Sequence, residues 1–168
     1  MKELWTLDPS IVFLNHGSFG ATPKRVQELQ GELRARMERN PMQFFLRDLE
    51  GLLDETREGL GAFVAAAPED LVFVPNATTG VNAVLRSLRF EPGDELLTTD
   101  QEYNACKNVL DFAAARDGAR VVVAKVPFPL ASEDEVVAAI ESAVRARARL
   151  RLLGHGTGPT GLLFPGEK

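Results

Sequence analysis

Val72-Phe-Val-Pro-Asn-Ala-Thr-Thr-Gly-Val-Asn82 is the stretch from which the rest of the chain can be read. The run Leu71 to Val74 is apolar and mostly β-branched or aromatic, and Pro75 ends it. That pattern predicts a buried strand. Two hydroxyl residues and a glycine follow, after which apolar positions recur at Val81, Val84, Leu85 and Leu88 with helical spacing. Strand, tight turn and helix therefore succeed one another, with Thr78, Thr79 and Gly80 in the first helical turn. The first amides of a helix have no partner within it, and the dipole adds partial positive charge there. Hydroxyls beside free amides, with a glycine admitting close approach, suit an anionic phosphate. Each hydrogen bond to a charged group contributes roughly 1.5–3 kcal/mol, so a few suffice to hold one. An ordinary threonine-capped helix fits the same letters, and the surrounding chain has to decide.

Downstream, Pro92-Gly-Asp94 is a turn signal, and Glu95 to Thr99 reads as a short strand. Asp100-Gln-Glu-Tyr-Asn-Ala105 leads into a helix carrying Cys106, Val109, Leu110 and Ala113. Asp117-Gly118 marks another turn before the β-branched run Ala119 to Val126. Ser132 and Glu135 form a capping box for a helix through Val136, Val137, Ile140 and Val144. Leu150 to Leu153 is a last strand, followed by Gly154-His-Gly-Thr-Gly-Pro-Thr-Gly161. Alternating strand and helix from residue 71 onward predicts an α/β domain with a mainly parallel sheet and flanking helices. In such sheets ligands sit at the carboxyl ends of strands. Thr78/Thr79, Tyr103 and the 154–161 loop each follow a strand, so all three are expected to face one crevice.

Upstream lies an N-terminal segment, 1–66, dominated by helix; the α/β part takes 67–168. Ile11 to Leu14 is a strand-like run, and Asn15-His-Gly-Ser-Phe-Gly20 is a loop with two glycines beside a histidine. Thr22 is expected to cap a helix whose first residue is Pro23 and whose stripe is Val26, Leu29, Leu33 and Met37. A second long helix over 43–66 is expected to turn Phe45, Leu46, Leu49, Leu52, Leu53, Leu60, Phe63 and Val64 inward.

At 168 residues and 45% hydrophobic, the chain can bury one respectable core. A net charge of -5 argues against nucleic acid as the main partner. The arginines at 145, 147, 149 and 151 are the local exception and read as a solvated helix end. No apolar stretch approaches membrane-spanning length and no basic-then-apolar leader opens the chain; with a single cysteine, this predicts a soluble, cytoplasmic protein. No His/Cys cluster suggests a metal, and the glycine-rich 154–161 loop matches no nucleotide motif.

Phe13-Leu-Asn-His-Gly-Ser-Phe-Gly-Ala-Thr-Pro23, Asn40-Pro41 with Phe44-Phe-Leu-Arg47, Asn76-Ala-Thr-Thr-Gly-Val-Asn82, Glu102-Tyr-Asn-Ala105 and Pro159-Thr-Gly161 stand in that order. Together they resemble the N-terminal part of fold-type I pyridoxal-phosphate enzymes of the class V aminotransferase group, in the branch that includes isopenicillin N epimerase. The resemblance implies a partial pyridoxal-phosphate (PLP) transferase large domain and an enzyme of amino-acid metabolism: an epimerase (isomerase), an aminotransferase (transferase) or a carbon–sulfur lyase. It implies that Ala77, Thr78 and Thr79 meet the cofactor phosphate, that Tyr103 stacks on the pyridine ring, and that His155 helps position the cofactor. It likewise implies that Asn15, His16 and Gly17 line the substrate entrance and that Arg47 meets a substrate carboxylate. Read from residues alone, His16 is equally a loop histidine bonded to backbone, and Arg47 a surface ion pair with Asp48 or Glu50. Cys106 on its apolar stripe reads as core, not as a persulfide carrier.

The family's Schiff-base lysine and the aspartate paired with the pyridine nitrogen lie beyond the compared stretch. Lys2, Lys24, Lys107, Lys125 and Lys168 fall in no family lysine motif, so no catalytic residue is assigned. Related sequences read Asp-His-Val-Thr-Ser-Pro-Thr-Gly where this chain has Gly154-His-Gly-Thr-Gly-Pro-Thr-Gly161; the added glycines are expected to loosen that loop. A sheet ending at Leu150–Leu153 leaves surface to cover, so a homo-oligomer (a dimer), a C-terminal partner completing a split enzyme, or a non-catalytic interaction module is expected.

Overall fold

The structure is a computed structural model that describes residues 2–166. Lys168 lies outside them. The chain divides into two compact units between Val72 and Phe73.

In the first unit, helix α1 spans Lys24–Arg39. It begins one residue later than expected, because Pro23 has a helical φ but an extended ψ. Thr22 does not cap it; Pro23 takes the N-cap position at φ -59 and ψ 146, and the Thr22 carbonyl accepts from Gln27 Nε2 at 2.7 Å. Asn40 caps the next helical stretch, its side chain accepting from the Gln43 amide at 3.1 Å. That stretch runs through Pro41–Gln43 and a π turn, Phe44–Asp48, into helix α2, Leu49–Val64. Ala65 ends it in the left-handed region at φ 56. The π turn inserts an extra residue and breaks the apolar stripe. Phe44 is buried, whereas Phe45, Leu46, Leu60, Phe63 and Val64, expected to face inward, are exposed. Ile11 to Leu14 forms no strand.

The second unit is built on three parallel strands, β1 (Glu95–Thr99), β2 (Arg120–Ala124) and β3 (Ala148–Arg151), in the order β2-β1-β3. Helix α3 (Ala77–Ser87) precedes β1, helix α4 (Asn104–Asp117) joins β1 to β2, and helix α5 (Asp134–Ala143) joins β2 to β3. The middle strand is buried over all five residues, as expected where both faces of a parallel sheet are covered. On one face Leu96 packs with Leu85 of α3 and with Val109, Leu110 and Ala114 of α4. A second cluster gathers Val126, Val136 of α5 and Phe164.

The expected strand over Leu71–Val74 is absent. Val72 is 81% exposed, and no described strand lies alongside to accept a ladder. A β-branched run becomes a strand only where a neighbour pairs with it. The capping box before α5 is half made: the Glu135 carboxylate accepts from the Ala131 amide at 2.9 Å, while Ser132 offers its backbone carbonyl. The arginines of 145–151 are no helix end either. α5 stops at Ala143, and the side chains of Arg145, Arg147 and Arg149 clamp the start of β1 and the turn before it. Arg145 lies 3.9 Å from the buried Glu95 carboxylate, which Arg120 also pairs, Arg149 lies 3.5 Å from Asp94, and Arg147 donates to the Pro92 carbonyl at 3.0 Å. Gly93, at φ 85, passes beneath the Arg147 guanidinium, where a Cβ would stand 3.0 Å from it.

Candidate functional site at the carboxyl edge of the sheet

Parallel strands end together, so the segments after β1, β2 and β3 meet along one edge. Three consecutive side chains after β1 bind them there. Asp100 Oδ1 accepts from the Val126 amide, after β2, at 3.0 Å. Gln101 Oε1 accepts from Thr160 Oγ1 at 3.1 Å. The Glu102 carboxylate accepts from the Tyr103 amide through Oε1 at 2.8 Å and from the Gly154 amide through Oε2 at 2.9 Å. None of the three is singled out by its residue type. Their position, immediately after a central strand, is the signal that identifies them.

The 154–161 loop is tied both to these side chains and within itself. Thr157, 6% exposed, accepts the Leu162 amide on its hydroxyl at 2.9 Å and exchanges a hydroxyl bond with Thr160 at 2.8 Å. The His155 carbonyl accepts from the Phe164 amide at 2.7 Å, and Gly156 bridges to Leu163. The His155 side chain is exposed. Tyr103 starts α4, its carbonyl accepting from the Cys106 and Lys107 amides at 3.0 Å each, and its side chain is 62% exposed.

Helix α3 packs against α4. Arg116 Nη1 donates to the Arg86 carbonyl at 2.9 Å and Nη2 to the Leu88 carbonyl, while the Arg86 guanidinium covers the Phe112 ring at 4.3 Å. The C-terminal ends of α3 and α4 are thus adjacent, and Ala77 lies about 14 Å from Arg86 at a rise of 1.5 Å per residue. At the N-terminus of α3 Asn76 is the cap, in place of a threonine. Its Oδ1 accepts from the Thr79 amide at 2.9 Å and from Thr79 Oγ1 at 3.1 Å. Among the described residues the amides of Ala77 and Thr78 have no partner, and the Thr78 hydroxyl makes no hydrogen bond. The donors open to an anion are thus those of Ala77 and Thr78, while those of Thr79 are already given to Asn76.

Cys106 is buried at the start of α4. Burial, and secondarily the Glu102 charge, push its thiol up from the ordinary value. A protonated, covered sulfur is a poor nucleophile. Among the described residues no group of His, Cys, Asp and Glu could hold a metal ion.

In the N-terminal unit, Asn15 caps a single helical turn, His16–Phe19, accepting from the Ser18 amide at 3.3 Å. His16 Nδ1 accepts from the Ala21 amide at 3.4 Å, which leaves Nε2 as the protonated nitrogen of the neutral ring. Phe13 meets this ring edge-on at 4.9 Å, and Trp5 lies at 6.3 Å with its indole donating to the Ala21 carbonyl. These rings line a cleft of about 680 Å³ with Lys2 and Lys24 at its edge. Gly17 is exposed within the same turn. Arg47 is exposed on the π turn and makes no ion pair among the described residues; Asp48 pairs with Arg36 at 2.7 Å.

Residues 19–168 match the family model described as aminotransferase class-V. The chain is 38% identical to isopenicillin N epimerase of Amycolatopsis lactamdurans over 99% of its own length and 42% of the relative's. It superposes on C-DES, a cystine C–S lyase solved with its product cysteine persulfide, with a TM-score of 0.83 at 25% identity. A C-DES mutant with glycine covalently linked to the PLP cofactor gives 0.82 at 25%. Each superposition covers 91% of this chain and 40% of that one. The chain therefore spans about two fifths of the relatives it matches.

Proposed function

Because this chain belongs to the aminotransferase class-V family, we propose that it holds the non-covalent half of a pyridoxal 5'-phosphate site in an enzyme acting on an amino acid. The observation that carries this reading is the pair of unbonded amides at Ala77 and Thr78, beside the free Thr78 hydroxyl. The phosphate takes the two amides and the Thr78 hydroxyl, with the helix dipole favouring its charge. Thr79 acts through Asn76, holding the cap that presents those amides. Tyr103 offers its face to the pyridine ring. His155 stands on a tethered loop at the carboxyl edge of the sheet and orients the ring's substituents. The cofactor supplies an electron sink for chemistry at an amino acid's α-carbon.

Isopenicillin N epimerase-like epimerisation is the activity we favour for the whole protein, on the 38% identity over nearly the full chain. Carbon–sulfur cleavage is the rival; Cys106, buried, counts only against its desulfurase form, which needs a persulfide carrier. Asn15, His16 and Gly17 are assigned to substrate entry and Arg47 to a substrate carboxylate. A second reading, an interaction module or one subunit of a split enzyme, is favoured by the outer side of β3, unpaired among the described residues, and by the exposed apolar run Val72–Val74.

Titration with pyridoxamine 5'-phosphate, which cannot condense with lysine amines, tests the site directly. Saturable binding, weakened roughly tenfold by Thr78→Ala with loss of about one charged hydrogen bond, is expected. Binding that ignores Thr78→Ala and Tyr103→Ala alike would remove the assignment.

A further inference from the structure

The geometry points to Glu102 as a positioning residue that couples the Tyr103 ring platform to the 154–161 loop carrying His155. This rests on the cofactor reading above and adds a residue to which no role has been given. Tyr103 and His155 belong to segments 52 residues apart in sequence, and the single carboxylate between them bonds the backbone of both. Oε1 receives the amide of Tyr103 itself, and Oε2 that of Gly154, the immediate neighbour of His155. Two converging N–H donors require two acceptors. A carboxylate offers them, whereas an amide of the same shape offers one and turns its own N–H₂ towards the other donor. A carboxylate also suits this place because its charge strengthens both bonds.

Gly154 sharpens the point. A Cβ there would stand 3.5 Å from both Glu102 oxygens, an ordinary contact, so the glycine is not demanded by space. A carboxylate at 154 would place a second negative charge beside Glu102. With glycine, Glu102 alone carries the charge at this junction.

Gln101 provides the contrast. Its bond to Thr160 ties the far end of the same loop but reaches neither Tyr103 nor His155. Breaking it disturbs the loop without disturbing the coupling. Glu102→Gln and Thr160→Val thus separate a positioning role from mere stabilisation of the loop.

Tyr103 is the only tyrosine, so a chain labelled with ring-13C tyrosine gives a single set of ring signals. In the full chain, Glu102→Gln is expected to move that signal and to speed amide exchange at both Tyr103 and Gly154. It is also expected to weaken pyridoxamine 5'-phosphate binding roughly fivefold, less than the loss of a direct charged hydrogen bond to the ligand. Thr160→Val is expected to speed exchange within 157–162 while leaving the ring signal and the affinity in place. If Glu102→Gln leaves the Tyr103 signal unchanged, or Thr160→Val moves it as far, the coupling is refuted. A wild-type chain that fails to bind pyridoxamine 5'-phosphate while its ring signal still answers to Glu102→Gln would overturn the cofactor reading and keep the coupling.

Discussion

At Asp117 the chain sets one carboxylate against several donors. Arg116 bonds it most strongly, the Phe90 amide adds a bond at 3.1 Å, and Arg89 lies 3.8 Å away. These hold its carboxyl down from the ordinary 3.8 to about 2. A carboxyl depressed in the folded state adds stability that is whole above its unfolded value and is lost as pH falls through the folded one. Wild-type denaturant midpoints are therefore expected to drop between pH 3.8 and about 2 more steeply than those of Asp117→Asn; parallel curves would show that the pair contributes nothing. Asn76→Ala deletes the cap of α3 and should cost about 1 kcal/mol in chemical denaturation, with a wild-type midpoint counting against the cap. Cys106 should react with iodoacetamide far more slowly in the native chain than after unfolding, and equal rates would contradict its burial. What could be read at this scale was residue type: threonines beside a glycine suggested an anion seat. Which hydroxyl was free could not be read, because the choice of Asn76 as cap depends on backbone angles that no letter encodes.

Among the elements, β1, β2 and β3 with their helices were legible because each carries its own periodicity and its own turn residues. Pro92-Gly93 and Asp117-Gly118 mark two of the boundaries, with both glycines at positive φ. Leu71–Val74 was misread for the complementary reason. Local pattern states only that a run is fit for a sheet; the partner strand must come from elsewhere. The 43–66 helix failed in another way, since a π turn at Phe44–Asp48 shifts the register that the stripe assumed. The arginines after α5 were assigned to the nearest helix, yet their partners, Pro92 to Glu95, lie some fifty residues earlier, a distance no window spans. At the end of α2, Ala65 sits where L-residues pay roughly 1–2 kcal/mol, while glycine loses more freedom on folding, roughly 0.5–1 kcal/mol. Ala65→Gly should therefore stabilise by about 0.5 kcal/mol, and a lowered melting midpoint would show that the strain is illusory.

Considered as a whole, the molecule leaves much apolar surface open. Phe63 is 87% exposed, Leu46 66% and Val72 81%, and among the described residues the outer side of β3 has no ladder. Patches of this kind usually mark a surface that another polypeptide covers. Sedimentation velocity should accordingly show mass rising with concentration, and a constant monomer over the accessible range would argue that these side chains stay wet. None of the described helices is long and apolar enough to cross a membrane. Trp5, tethered by its indole to Ala21, belongs to the first unit, and Tyr103 to the second; each is the sole residue of its kind. Every half of the chain thus carries a private chromophore. Melting followed by emission from the indole and from the phenol would report the two halves separately, and two midpoints would reveal that they come apart in turn.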